Sequence, residues 1–188
     1  MSDPIIFFML GVGAVFMVLI LLRRFAGFAS QRETDYAGGA PQFDLKEHLN
    51  GKMICEGVIF GPLGGMTSSF VADFDARWIN NVGTIKEVFT YNDGSVQERA
   101  WTITLGDRGH FTATADDVPG VAQGHEAGPV VLFRYPIRMP ESAGGYVLNA
   151  FDCMYLTSNG TIVNRSQFRK FGIKVAELVA TIRKEDQS

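Results

Sequence analysis

Two cysteines and three histidines are all that 188 residues supply of the side chains that most often hold metals. Cys55 and Cys153 lie about a hundred residues apart, and neither pairs at short range with another Cys or His, so zinc-site spacing is absent. Two readings of the cysteines stay open: one disulfide if the chain is exported, or two buried thiols. His48, His110 and His125 are scattered without ligand spacing and read as surface or turn residues, so no metal and no cofactor is expected. No Gly-x-Ser-x-Gly surrounds Ser142 or Ser166, which removes the nucleophile elbow. Gly61-Pro62-Leu63-Gly64-Gly65 lacks the Lys-Ser/Thr that a phosphate loop requires and reads as a hairpin connection. A basic excess is missing as well. Formal charge is −3, and setting aside Asp3, Arg23 and Arg24 leaves 15 basic against 19 acidic residues. A nucleic-acid binder needs the opposite balance, so no nucleic-acid partner is expected.

The first thing present is an apolar run. Ile5 to Leu22 is unbroken and closed by Arg23-Arg24, and eighteen residues at helical rise span roughly 27 Å, close to the hydrocarbon core of a bilayer. A cleaved signal wants positive charge before the run, whereas the one charged side chain there is Asp3. A soluble core helix would show a polar face, which this stretch lacks. A retained single-pass helix is therefore expected over residues 1–24. The arginine pair favours the cytoplasmic side for the rest of the chain, held at the cell inner membrane. Residues 25–42 are polar and rich in Gly and Ala and read as a linker, leaving about 145 residues for one domain, 43–188.

That domain reads as mainly β. Turn chemistry such as Asn92-Asp93-Gly94, Gly106-Asp107-Arg108-Gly109 and Ser158-Asn159-Gly160 recurs at intervals of about 8 to 14 residues. Between the turns, side chains alternate at period two: Phe70, Ala72, Phe74, Ala76 and Trp78 share one strand face, and Asp73, Asp75 and Arg77 the other. Trp101, Ile103 and Leu105 form a second row, and Val131, Phe133, Tyr135 and Ile137 a third. Asp44 to Leu49 suits a short helix with Asp44 as N-cap. Ile173 to Arg183 fits either period, and its β-branched content favours a strand. Nine or ten antiparallel strands leave two edges, and closing on itself removes them. The expected architecture is an antiparallel lipocalin-like β-barrel behind an N-terminal transmembrane helix, with a cavity for one small apolar ligand.

Three stretches carry a resemblance: Ala115-Asp116-Asp117-Val118-Pro119-Gly120-Val121-Ala122-Gln123-Gly124, Phe151-Asp152-Cys153-Met154-Tyr155-Leu156, and Asn164-Arg165-Ser166-Gln167-Phe168-Arg169-Lys170-Phe171-Gly172. Their order and spacing resemble a bacterial family known as domain of unknown function 3833, over roughly Phe43 to Arg183. The resemblance implies a lipocalin-like fold, an envelope location through lipoprotein signals, and a link to fatty-acyl modification. This chain departs from that pattern by carrying an apolar span and no cysteine just after it.

The expected ligand-binding residues are Phe70, Phe74, Trp78, Trp101, Phe133, Tyr135, Leu148 and Met154 on the cavity wall. Asp152, set in an apolar row, would hold a polar group together with an arginine from among Arg165, Arg134 and Arg99. Arg165 and Asn164 fall on opposite faces of one strand, so only one of them faces inward. The expected partners are membrane lipid and a fatty-acyl or similar ligand. Two other readings stay open. One is a lipid isomerase or cyclase using Asp116, Asp117 or Asp152; the other is an accessory subunit whose span docks on a membrane protein.

Overall fold

The computed structural model describes residues 3–25 and 27–185; the ends of the expected anchor and barrel segments (1–2 and 186–188) lie outside them, as do the side chains of Arg23 and Arg24 on which the orientation reading rests. The chain forms two compact units, residues 1–35 and 36–188. In the first, helix α1 runs from Asp3 to Phe25, and its Asp3–Leu22 stretch is long and apolar enough to cross a membrane. No polar face develops along its described residues, and its large apolar side chains are exposed. Two short 3-10 turns, Phe28–Ser30 and Glu33–Asp35, come after it.

The second unit is a closed antiparallel barrel of ten strands. They are β1 (Gly51–Phe60), β2 (Met66–Ile79), β3 (Val82–Tyr91), β4 (Val96–Leu105) and β5 (His110–Thr114). The remaining five are β6 (Ala122–Ala127), β7 (Val130–Arg138), β8 (Val147–Leu156), β9 (Ile162–Lys170) and β10 (Ile173–Lys184). Each pairs with its sequence neighbours, and β1 with β10 closes the ring, so no free edge remains among the described residues. The ambiguous final segment is therefore a strand: Cys55 lies opposite Ile182 and Gly57 opposite Ala180. Alternate residues of each strand point inward, which makes the period-two rows of the sequence the inner wall.

The two ends of the barrel differ. Helix α2 (Leu45–His48) lies across one end, where its cap Asp44 accepts from the backbone N–H groups of Lys46 and Glu47. Leu45 is fully buried and forms a floor with Leu49. Trp78 Nε1 donates to the Leu49 carbonyl at 2.7 Å, and the indole lies on Gly83, where any Cβ would approach the ring to 2.7 Å. The Lys184 ammonium bonds the Asn50 carbonyl and pins the last strand to the same end. The β1–β2, β3–β4, β5–β6, β7–β8 and β9–β10 connections surround the other end, which alternation of direction places opposite the floor.

Candidate functional site

The barrel is not filled solid. A chamber of about 140 Å³ lies above the α2 floor, and a vestibule of about 190 Å³ adjoins it on the side of the β5–β6 and β7–β8 loops. Phe70, Phe89, Arg99, Ile137, Phe168 and Leu178 border both. A largely apolar space of this size has room for a small ring or a short chain segment. Gly57 lets the Phe70 ring pack close against β1: a Cβ there would meet that ring at 2.6 Å and Ala180 at 2.8 Å.

The wall is aromatic on one side. Trp101 meets Phe133 and Tyr135 edge-on, each at 5.1 Å between centroids, and Phe89 meets Phe70 and Phe74 the same way. Such pairs add to simple burial through the ring quadrupoles.

Among these rings sits a polar group. Arg99 on β4 lies opposite Glu87 on β3 in the strand register. Its Nε donates to Asp117 at 2.8 Å, and its guanidinium lies over the Trp101 ring at 4.3 Å. From the far wall, Tyr135 Oη donates to Asp152 Oδ2 at 2.7 Å, with Ser166 opposite Asp152 across β8–β9. Asn164 lines the same chamber and donates from Nδ2 to Ser166 Oγ at 3.2 Å. Glu87 Oε2, Asp152 Oδ1, Asn164 Oδ1 and Arg99 Nη2 have no hydrogen-bond partner among the described residues, although all four are buried. Buried polar atoms are nearly always satisfied, and groups at binding sites are a common exception.

Electrostatics derive from burial. Desolvation pushes the Glu87 carboxyl up to about 7; Arg99 opposes the rise, while Asp117 and Asp152 add to it. Burial raises Asp152 too, against the hydrogen bonds of Tyr135 and Ser166 and the charge of Arg99. Desolvation alone would lower the pKa of Arg99, but Tyr135, Glu87 and Asp117 outweigh it and hold the guanidinium firmly charged. Burial also pushes both thiols, Cys55 and Cys153, up to about 12, and both cysteines are free.

Of the residues singled out in the sequence, Phe70, Phe74, Trp101, Phe133, Tyr135, Asp152 and Met154 line the chamber, and Leu148 lines the vestibule. Trp78 does not reach the chamber wall, because its indole is taken up by Gly83 and the Leu49 carbonyl. Arg165 is corrected outright: strand parity turns it outward, where its Nε donates to Glu177 at 2.6 Å. Arg134 is also on the outer wall, over the Phe151 ring at 3.4 Å. The arginine inside is Arg99, and of the Asn164-Arg165 pair it is Asn164 that faces in. Asp116 is exposed, while Asp117 is held by Arg99. The histidines are less scattered than their spacing suggests, since the β5–β6 register sets His110 against His125 with Nδ1 atoms 3.1 Å apart. Sequence reasoning missed Glu87. The signal was available: Ile85, Glu87, Phe89 and Tyr91 form an alternating row with one carboxylate in it, as Asp152 does in β8.

Fold and site together define a lipocalin-like barrel with an apolar chamber and a polar cluster set into its wall. The chain belongs to the family described as "Protein of unknown function (DUF3833)", whose model matches residues 22–184. An S-type phycobiliprotein lyase from Guillardia theta is similar in structure, with a TM-score of 0.53 and 8% identity over 76% of this chain and 91% of that one. A protein of unknown function of the DUF3598 family from Nostoc punctiforme also has a TM-score of 0.53, with 10% identity over 78% of this chain and 51% of that one. At such identities the likeness is one of fold. No curated protein gives a significant match.

Proposed function

We propose that this protein is a membrane-anchored barrel that binds a small amphiphile, with a fatty-acyl or related apolar part in the chamber and vestibule. The observation that carries this reading is the pairing of an aromatic-lined hollow with four buried polar atoms that have no partner among the described residues. Each CH₂ taken from water contributes about 0.8 kcal/mol, so a short apolar segment already gives useful affinity, and the polar cluster supplies orientation. The vestibule end supports entry from a lipid phase. Leu63 and Phe171, at the tips of the adjacent β1–β2 and β9–β10 hairpins, are 99% and 90% exposed, with Lys170 beside the latter. Exposed apolar tips, one of them with a basic neighbour, suit an anionic interface.

In this reading α1 keeps the barrel at the inner membrane with the domain on the cytoplasmic side. A reporter active only in the cytoplasm, fused after Ser188, is expected to be active; a silent one contradicts that orientation.

Binding is tested on the full chain in lipid nanodiscs with an environment-sensitive apolar dye, against empty nanodiscs. The wild type is expected to give saturable fluorescence that Met154→Trp, which fills the chamber, reduces about tenfold or more in affinity. Arg165→Ala, on the outer wall, is expected to leave it unchanged. Equal dye binding by Met154→Trp and the wild type rejects the chamber as the site.

The raised pKa of Glu87 inside an accessible hollow favours one second reading, proton transfer to or from a bound lipid. Loss of a specific lipid product in Glu87→Gln, with the dye still bound, separates catalysis from carriage.

A further inference from the structure

The balance of donors and acceptors in the chamber says what kind of polar end it takes, and this step rests on the ligand-binding reading above. β3 and β8 stand five positions apart in a ring of ten strands, so Glu87 and Asp152 approach the hollow from opposite walls. Both residues are nine-tenths buried or more, at 8% and 9% exposure. Each presents one oxygen without a partner among the described residues, Oε2 of Glu87 and Oδ1 of Asp152. Asn164 adds a third acceptor while its Nδ2 is used by Ser166. The two carboxyl groups do not depend on which way that amide is turned. Against them, among the described residues, stands one unpartnered donor, Arg99 Nη2, since the hydroxyls of Tyr135 and Ser166 are already turned to Asp152. The charge behind that donor is already matched, since Arg99 Nε is bonded to Asp117.

We propose that the ligand's polar end is a hydrogen-bond donor, neutral or cationic (a hydroxyl, amide or amine), held between Glu87 and Asp152, and that free carboxylates and phosphates are rejected. An amine or a primary amide can satisfy both orphaned acceptors at once and a hydroxyl one of them, which in each case lowers the cost of burying them bare. An anionic end meets two carboxyl groups in a medium of low dielectric constant, where like charges repel far more strongly than in water. It enters only with proton uptake. The chamber is thus selective by chemistry as well as by shape, since specificity is built as much from unpaired groups as from paired ones.

The test uses three probes of one chain length, 1-hexanol, hexylamine and hexanoate, titrated at pH 7.5 into the full chain in nanodiscs. Tryptophan fluorescence is the readout because Trp101 lies on the chamber wall, with empty nanodiscs as blank. Hexanol and hexylamine are expected to bind about tenfold or more tightly than hexanoate, and Glu87→Gln is expected to close that gap by raising hexanoate affinity. Asp152→Asn carries the same expectation if Glu87→Gln fails to fold. Hexanoate binding as tightly as hexanol overturns the donor rule while leaving the chamber as a binding site. Failure of all three probes to bind overturns the ligand-binding reading itself.

Discussion

Glu87 ties the stability of the barrel to its binding chemistry. Its carboxyl has an ordinary value of 4.5 and stands at about 7 in the folded chain, because burial disfavours the ion more than Arg99 favours it. The folded state therefore binds more protons than the unfolded state between those values. Stability contributed by this group is complete below pH 4.5 and is lost as pH rises through 7. The shift is on the order of 3 kcal/mol. Glu87→Gln removes the titration. Urea unfolding of the full chain in detergent at pH 5 and pH 8 is expected to show the variant losing less stability across that interval, by up to about 3 kcal/mol. Equal losses would place Glu87 in contact with water. At this scale the sequence is a partial guide. Asp152 stands out because a single carboxylate interrupts an apolar row, and Glu87 lies in the same pattern within a shorter and more polar row. Arg165 is near Asp152 along the chain, yet one residue of parity decides between wall and solvent, and its charge is met by Glu177 outside.

Helix α2 shows how a short element acquires importance through position. Four residues cannot sustain a helix by propensity, so this one depends on its cap and on the barrel end it covers. Asp44→Ala removes both backbone acceptances and is expected to cost about 1 kcal/mol. Leu45→Ala is expected to cost about 2–5 kcal/mol and to enlarge the chamber from below, since Leu45 is fully buried and lines it. Denaturant unfolding measures both, and a Leu45→Ala variant as stable as wild type would show that α2 is not the floor. The helix and its cap were legible from Asp44 and the four residues after it. So were the strands, because Asn-Asp-Gly and Gly-Asp-Arg-Gly turns separate them. The last strand was not decided by its own residues, whose spacing fits a helix as well. Pairing with both β1 and β9 decides it, and β1 lies more than a hundred residues away along the chain.

The whole molecule combines an exposed apolar helix with a barrel whose ring closure leaves interior space. Strand count and alternation made the barrel and its hollow legible, since nine or ten short antiparallel strands leave two edges that closure removes. The size of the hollow was not legible, because it depends on how aromatic rings and glycines such as Gly57 and Gly83 interlock. A cavity of about 140 Å³ with a vestibule suits a segment of a lipid rather than an entire one, so part of a long ligand would extend toward the open end. The most direct measurement is mass spectrometry of small molecules extracted from the full chain purified out of its native membrane, alongside Met154→Trp prepared in the same way. The wild type is expected to carry one amphiphile at near-stoichiometric level, with a hydroxyl, amide or amine at its polar end, and Met154→Trp to carry little of it. The same lipid mixture on both proteins, in proportion to the membrane around them, would contradict a binding site within the barrel.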